Sequence, residues 1–333
     1  MNGGLQVYLV GGRQRRQRWR RLTPANVFEC AIILHLDTAK GTATRCVEHV
    51  SAPNVIPDKK PTILFKAASL VGDRMYACTE TEVVIFEVPS FRPVGYVSLP
   101  CFNDLHHVRP AENGSLLVVN TGLDMLLNVT EHGETLQEWS VNSDPLWGRF
   151  SKQVDYRKVA STKPHRSHPN FVFELRGELW VTRAIQHDAI SMNSRQRFPV
   201  MADVAIHDGL RFDGSIYFTA VNGHVIEVDK DTMQIRRDVN LNEIVGRDTA
   251  LGWCRGLEML DHDHALVGFS RLRPTRHLEN VHWVKQQFGG SNVGEMPTRV
   301  TLFDLRNGTV CWERNVEDFG LNTMFSIHRT PKR

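Results

Sequence analysis

The stretch IHDGLRFDGSIYFTAVNGHVIEVD, residues 206–229, decides the fold, because three short β-rich runs and two turns follow one another within it. The runs cover residues 206–212, 215–220 and 224–229. They are separated by Asp213-Gly214 and by Asn222-Gly223, and such dipeptides are typical of tight β-hairpin turns, which need positive φ angles. The stretch therefore predicts three strands of one antiparallel sheet.

Four other stretches repeat this pattern of a short run, a turn and an apolar strand. They are FKAASLVGDRMYACT (65–79), LHHVRPAENGSLLVVN (105–120), HPNFVFELRGELWVTR (168–183) and CRGLEMLDHDHALVGFS (254–270). Strand-turn-strand units that recur every 40 to 50 residues or so are typical of the blades of a β-propeller. We therefore predict an all-β chain built from blades.

The two ends of the chain complement each other. GLNTMFSIH at 320–328 is predicted to be an opening strand with no blade after it, whereas residues 5–10 and the following hairpin are later strands without an opening strand. Pairing the two ends would close the ring and remove its free sheet edges. This predicts six blades, or seven if the segment after Arg271 contains another sheet. Residues 1–333 then form one domain, with loop insertions near 11–25, 143–164 and 271–297.

Composition and charge place the chain among ordinary globular proteins. The net charge is +3, 41% of the residues are hydrophobic, and the six cysteines show no C-x-x-C spacing. With no secretory signal and no apolar run of about 20 residues, we expect no membrane span and a cytoplasmic protein with reduced thiols. The segment Arg13–Arg21 carries six arginines and is the only hint of nucleic-acid binding. We favour a solvated loop there.

The innermost strand of each predicted blade opens with polar residues, and histidine recurs among them. These strands line the central channel of a propeller, so that each blade contributes side chains to one space. The opening residues are His106 and His107, His168 and Asn170, His207 and Asp208, and Arg255 and Glu258, to which the C-terminal strand adds His328. A single histidine is more often structural than a ligand, but this recurrence favours a site assembled by the fold.

Imidazole and carboxylate groups on rigid strands suit a divalent metal ion. Iron, zinc, manganese or copper is expected rather than calcium, which prefers an all-oxygen shell. The predicted ligands are His107, His168, His207 and either Glu258 or His328. The residues expected to take part in catalysis are Glu258, Asp208 and Arg255, and those expected to bind a small anionic organic substrate are Arg109, Arg255 and Asn170. The sequence thus predicts a metal-dependent hydrolase or oxygenase.

Two other classes of function stay open. Without a metal, the histidines would act as general acids and bases, as their near-neutral pKa permits. Alternatively, the ring is a non-catalytic scaffold whose partner binds the arginine segment or the insertions at 143–164 and 271–297. The sequence has no His-Glu-x-x-His motif, no phosphate-binding or dinucleotide-binding glycine motif and no nucleophile elbow. These absences argue against a helical zinc protease, a nucleotide-dependent enzyme and a serine hydrolase.

The stretches 168–182 and 206–229 resemble the blade pattern of six-bladed propellers of the gluconolactonase and strictosidine-synthase type. The resemblance implies a channel in which Glu, Asn and Asp side chains hold calcium or zinc for lactone or ester hydrolysis. Asn170, Asp208 and Glu258 match those positions, whereas the abundant histidine departs from the pattern. Histidine on several blades, including His328 near the end, is also similar to the four-histidine iron site of the larger carotenoid cleavage oxygenases.

Overall fold

A computed structural model describes residues 4–16, 27–59, 61–199, 204–246, 250–272 and 296–331. Within these ranges the chain forms 24 β-strands in six four-stranded antiparallel sheets. The sheets are the blades of a six-bladed β-propeller, as predicted. Among the described residues, no helix has the length and hydrophobicity needed to span a membrane.

The strands follow one another along the chain with short turns. The N-terminal strands are β1 (Gln6–Gln14), β2 (Phe28–Asp37) and β3 (Thr42–His49). Blade 1 contains β4 (Ser69–Val71), β5 (Arg74–Cys78), β6 (Val83–Glu87) and β7 (Arg92–Val97). Blade 2 contains β8 (Leu105–Pro110), β9 (Leu116–Asn120), β10 (Met125–Val129) and β11 (Thr135–Ser140). Blade 3 contains β12 (Pro169–Leu175), β13 (Glu178–Arg183), β14 (Asp188–Ser191) and β15 (Arg197–Pro199).

The second half of the chain continues the ring. Blade 4 contains β16 (Ile206–Phe212), β17 (Ser215–Ala220), β18 (His224–Asp229) and β19 (Ile235–Asn240), and the short helix α1 (Leu241–Val245) follows it. Blade 5 contains β20 (Trp253–Met259), β21 (His264–Ser270), β22 (Arg299–Asp304) and β23 (Thr309–Asn315). The last strand is β24 (Thr323–Arg329).

The last strand joins the first, which closes the ring as expected. Strand β24 is the innermost strand of blade 6, in the order β24-β1-β2-β3. It pairs antiparallel with β1 from Val7 opposite Arg329 to Gly12 opposite Thr323, with a register shift after Val10. Residues from both ends of the chain therefore complete one sheet, and no open edge is left between the first and last blades.

The core lies between neighbouring blades, because each sheet packs one face against the next. Between blades 3 and 4, the rings of Phe173 and Phe218 meet edge to face with their centroids 5.7 Å apart. Between blades 6 and 1, Tyr8 meets Phe91 in the same way at 5.0 Å. All six cysteines are free.

Two local predictions differ from the structure. Asn222-Gly223 is part of a three-residue loop, Val221–Gly223, in which Gly223 alone has a positive φ, of 95°. In blade 1, the sequence also predicts a first strand near residues 62–70, but β4 begins only at Ser69. The preceding backbone bonds to neighbouring blades instead: the Phe65 N–H donates to Gly11 O and the Ala67 N–H to His106 O, both at 3.0 Å.

The insertion after blade 2 has no strand and crosses back over the ring. Its 3-10 turn, Tyr156–Lys158, is fixed by Asn103, whose Nδ2 donates to Tyr156 O and to Val159 O at 2.8 Å each. The side chain of Lys158 then donates to the carbonyl oxygens of Pro53 and Ile56, at 2.6 and 3.0 Å. The insertions expected near 11–25 and 271–297 fall largely outside the described residues.

Candidate functional site

A cavity of about 500 Å³ opens where the innermost strands begin. Each blade contributes at least one lining side chain, among them Lys66, His106, Asn170, His207, Arg255 and Phe325, in order from blade 1 to blade 6. From outside the sheets it is lined by residues 159–163 and by Ile56, Pro57 and Lys59. The ring therefore brings together, from distant parts of the chain, some of the polar side chains predicted at the openings of these strands, namely His106, His168, Asn170, His207 and Arg255.

Three side chains in this cavity form a group with the composition of a metal site. Asp104, His165 and His168 each place one potential ligand atom so that all three lie within 4.8 Å of one another. The Nδ1 atoms of His165 and His168 are 2.7 Å apart, and His165 Nε2 lies 3.9 Å from Asp104 Oδ2. We call these three residues the Asp-His-His group. Among the described residues, it is the one cluster of this kind.

Two more histidines extend this group along the wall of the channel. The ring of His106 meets that of His168 edge to face, with centroids 4.8 Å apart, and lies 5.8 Å from that of His207. His106 Nδ1 is 2.9 Å from Asp104 O. His207 Nδ1 is 3.1 Å from Asp208 Oδ1. Blades 2, 3 and 4 thus present a continuous row of imidazoles, of which His168 and His207 were predicted as ligands.

The Asp-His-His group is held in place by a carboxylate that lies behind it. Asp124 is 3% exposed and accepts the backbone N–H groups of Arg166, Ser167 and His168 at 2.8, 3.0 and 2.9 Å, together with Arg149 Nη1 at 3.0 Å. His168 has a φ of +52°, a conformation unfavourable for a residue with a side chain. The bonds to Asp124 stabilise that conformation and fix the direction of the His168 side chain.

Burial keeps the imidazoles of the group neutral. It lowers the pKa of His168 to about 3, although the charge of Asp104 opposes this, and it also lowers the pKa of His165. The pKa of His106 falls well below its usual value because of burial and the nearby charge of Lys66. Neutral imidazole is the form that binds metal ions.

Lys66 controls the charge of two carboxyl groups at the same wall. Its Nζ lies 2.8 Å from Asp104 Oδ1 and 3.3 Å from Glu80 Oε1. Burial alone would raise the pKa of Asp104, but Lys66 and the neighbouring histidines hold it well below its usual value. Burial and the adjacent Asp104 raise the pKa of Glu80 to about 7. At neutral pH, Asp104 is ionised and Glu80 is able to exchange a proton.

On the opposite wall of the cavity, the side chain of Arg255 packs against two aromatic rings. The guanidinium of Arg255 lies 4.4 Å from the ring centroid of Phe325 and 5.8 Å from that of Trp253. Lys66 Nζ lies 5.6 Å from the same Phe325 ring. Asn170 is 2% exposed; its Nδ2 donates to Ile206 O at 2.9 Å, and its Oδ1 has no hydrogen-bond partner among the described residues. Arg255 and Asn170 were both predicted to bind substrate.

Three other predicted residues form a second layer that does not line the cavity. His107 Nδ1 accepts the Val172 N–H at 3.2 Å, and its Nε2 lies 3.1 Å from Ser69 Oγ. Asp208 Oδ2 accepts the Gly256 N–H at 2.8 Å, and burial raises the pKa of Asp208 to about 6. Burial lowers the pKa of His107 to about 3 and that of His328 to about 4. The structure therefore separates His107 and His328 from His168 and His207.

The remaining two predicted residues lie elsewhere. Glu258 Oε1 pairs with Arg329 Nε at 3.2 Å, and burial raises the pKa of this carboxyl group. Arg109 is partly buried in β8, where burial lowers its pKa. Neither residue lines the cavity. Their assigned roles, like those of His107, Asp208 and His328, stay predictions.

Four residues at this site were not predicted from the sequence, namely Asp104, His165, Lys66 and Glu80. Asp104 and His165 precede strands β8 and β12, so a prediction based on strand residues does not include them. One signal was available: HRSH at 165–168 places two histidines three residues apart, just before a predicted strand. Lys66 and Glu80 carried no such signal, because their contacts with Asp104 depend on the packing of blade 1 against blade 2.

Comparisons with known proteins confirm the fold and leave the family open. No protein-family model and no curated protein matches the chain. A protein of unknown function from Bacteroides caccae is 14% identical, with a TM-score of 0.61 over 97% of this chain and 98% of that one. A nidogen/laminin complex is 10% identical, with a TM-score of 0.55 over 96% and 97%. A streptogramin B lyase is 11% identical, with a TM-score of 0.48 over 93% and 87%.

At identities this low, structural likeness shows the fold alone. The six-bladed architecture implied by the resemblance to gluconolactonase-type and strictosidine-synthase-type propellers is confirmed. Membership of that family is not shown by any of these comparisons. The chain is a six-bladed β-propeller with a histidine-rich cavity at the mouth of its channel.

Proposed function

We propose that the protein is a metal-dependent enzyme whose divalent transition ion is bound by Asp104, His165 and His168. The proximity of the three ligand atoms, all within 4.8 Å of one another, carries this proposal. Metal-ligand bonds of about 2.0–2.2 Å allow ligand atoms to lie up to about 4 Å apart across the ion. Small side-chain rotations would therefore complete the coordination.

The surroundings of the three residues favour such an ion. Lys66 contacts Oδ1 of Asp104, whereas Oδ2 is the oxygen closer to His165. The carboxylate oxygen nearer His165 would bind the metal while Lys66 contacts the other, which is typical of outer-shell support for a ligand. The two imidazoles are neutral, and the backbone that bears His168 is anchored by Asp124.

Two histidines and one carboxylate leave coordination positions open toward the cavity. This ligand set serves both zinc hydrolases and iron oxygenases. A bound ion would polarise a substrate oxygen or lower the pKa of a bound water molecule. Glu80, whose pKa burial raises to about 7, lies on the same wall and is suited to accept a proton. His106 and His207 would orient the substrate beside the ion.

A metal-free enzyme is the second candidate, and one observation favours it. The Nδ1 atoms of His165 and His168 are 2.7 Å apart, a distance at which two imidazoles share a proton without any ion. In that case His165, His168 and Glu80 would act as acid and base groups.

Elemental analysis by mass spectrometry separates the two candidates. The purified protein, reconstituted in turn with iron, zinc, manganese and copper, should hold about one equivalent of one ion. His168→Ala and Asp104→Asn should abolish this binding. His262→Ala is the matched control, because His262 is 54% exposed at a turn of blade 5 and should retain the metal. A wild-type protein that holds no ion after reconstitution would contradict the proposal and favour acid-base chemistry.

A further inference from the structure

We propose that the substrate is a small organic carboxylate that carries a hydroxyl or N–H group, with its carboxylate on Arg255 and its donor group on Asn170 Oδ1. This inference rests on the proposed function only in taking the Asp-His-His group as the reacting end of the cavity. The carboxylate and donor sites are formed by residues outside that group.

The cavity has two ends that face each other across the channel. Asp104 and His168 belong to blades 2 and 3, whereas Arg255 and Phe325 belong to blades 5 and 6. In a six-bladed ring, blades three positions apart lie on opposite sides of the channel. A substrate held by Arg255 would therefore extend toward the Asp-His-His group. A cavity of about 500 Å³ accommodates a small organic molecule in that position.

The charges of the lining favour an anion. Among the described lining residues, the basic side chains are Lys59, Lys66, Lys163 and Arg255, and the acidic ones are Asp104 and Glu80. Basic groups are in excess even before a divalent ion is added. A cavity lined mainly by one sign of charge attracts ligands of the opposite sign.

Arg255 is the basic residue best placed to select a carboxylate. Its guanidinium lies on the Phe325 ring at 4.4 Å, and Trp253 lies 5.8 Å away, so that two aromatic rings restrict its orientation. A guanidinium of fixed plane binds a carboxylate through two parallel hydrogen bonds. Lys66, by comparison, offers a single ammonium group that lies between Asp104 and Glu80.

Asn170 supplies the second recognition element. Its amide orientation follows from the Nδ2 donation to Ile206 O, so that the other amide atom, Oδ1, is an acceptor. This Oδ1 is buried, belongs to a cavity-lining residue and has no partner among the described residues. An unsatisfied buried acceptor is costly, and a ligand hydroxyl or N–H group would satisfy it. Asn170 belongs to blade 3 and bonds to blade 4, so that it lies between the Asp-His-His group and Arg255 around the ring.

The test uses matched ligands on the full-length protein. The probes are 4-hydroxybutanoate and 6-hydroxyhexanoate, the unsubstituted acids butanoate and hexanoate, and 6-hydroxyhexanamide, each followed by thermal shift and calorimetry. At least one hydroxy acid should raise the melting temperature and bind about tenfold more tightly than its unsubstituted acid, since each lost hydrogen bond to a buried group weakens binding by about that factor. The amide should not bind.

Two variants assign the contacts. Arg255→Met should weaken binding of both acids at least tenfold, whereas Arg255→Lys, which keeps the charge and checks folding, should weaken it less. Asn170→Ala should remove the preference for the hydroxy acid over the unsubstituted acid. If no carboxylate binds the wild-type protein, or if Arg255→Met binds them equally well, the inference is wrong.

Metal content, measured on the same samples, keeps the two proposals apart. A protein that holds a metal ion but binds no carboxylate retains the proposed function and overturns the substrate class. A protein without metal that binds carboxylates through Arg255 retains the substrate class and overturns the metal centre.

Discussion

At the scale of single residues, the candidate site depends on a carboxylate that would not itself contact a ligand. Asp124 receives three consecutive backbone N–H groups and Arg149, and in this way it fixes the segment that carries His168. Its role is to position the histidine. Such supporting groups often matter nearly as much as the ligands, because they set the ligand geometry before the metal arrives.

Replacing this carboxylate should weaken both the fold and the site. In Asp124→Asn, one oxygen remains but the negative charge is lost, and we expect the free energy of unfolding to fall by about 1–3 kcal/mol. Metal affinity should fall roughly tenfold or more. Urea denaturation and metal titration measure the two effects. Asp144→Asn is the control, because Asp144 pairs with the exposed side chain of Arg166, and such surface pairs contribute about 1 kcal/mol or less. Unchanged metal affinity in Asp124→Asn would contradict the assigned role.

His107 is buried and neutral, and this predicts how the stability of the protein changes with pH. Burial and the charge of Arg109 lower its pKa from 6.5 to about 3. Between these values the unfolded chain binds a proton that the folded chain does not, so stability falls as the pH falls from 6.5 toward 3. His107→Gln removes the group that binds this proton. As the pH falls through that window, the free energy of unfolding of the variant should therefore decrease less steeply than that of the wild type, by about 1.4 kcal/mol per pH unit.

Urea denaturation of both proteins between pH 8 and pH 4 measures this difference. Above pH 6.5 the two pH profiles should run parallel, which serves as the internal control. Parallel profiles throughout the acidic range would show that His107 is protonated in the folded protein, contrary to this account.

At the scale of elements, the pairing of β1 with β24 holds the ring together. The two strands lie very close together at Gly11, where a Cβ atom in place of the glycine hydrogen would lie 1.9 Å from the carbonyl oxygen of Thr323. A residue with a side chain would force the last strand away from the first. The glycine is therefore required by the close approach of two backbones at the register shift.

Gly11→Ala should destabilise the protein by separating these strands. We expect the free energy of unfolding to fall by about 2–3 kcal/mol, the usual cost of inserting a methyl group into a packed core. Gly114→Ala is the comparison, because Gly114 has a φ of +80° and open space around it, so that only local backbone strain of about 1 kcal/mol is added. If urea denaturation gave equal losses of unfolding free energy in the two variants, the contact between β1 and β24 at Gly11 would not be the cause of the destabilisation.

The sequence predicted some strands and site residues correctly and missed others. Strands β16, β17 and β18 have the predicted bounds, since turn dipeptides and apolar runs are local properties of the chain. Strand β4 is shorter than predicted because the residues before it bond to other blades. His168, His207, Arg255 and Asn170 were found from their places at strand openings. Asp104 and His165 were not, because their proximity arises from loops whose path the local sequence does not fix.

At the scale of the whole molecule, the propeller brings together side chains that are far apart in the chain. Lys66 and Arg255 share the Phe325 ring, although they come from blades 1 and 5. Residues 159–163 of the insertion after blade 2 line the cavity together with Ile56, Pro57 and Lys59, and Lys158 joins the two segments. A closed ring thus provides one electropositive cavity, with a candidate metal centre on one side and Arg255 on the other.

The most direct test of the proposed metal centre is to locate a metal ion in crystals grown with zinc or manganese. Anomalous scattering should give one peak bounded by Asp104, His165 and His168, at about 2.0–2.2 Å from the ligand atoms of each residue. The peak should be absent from crystals of His168→Ala. No peak in the channel, or a peak beside His107 and His328, would contradict the metal centre proposed for this protein.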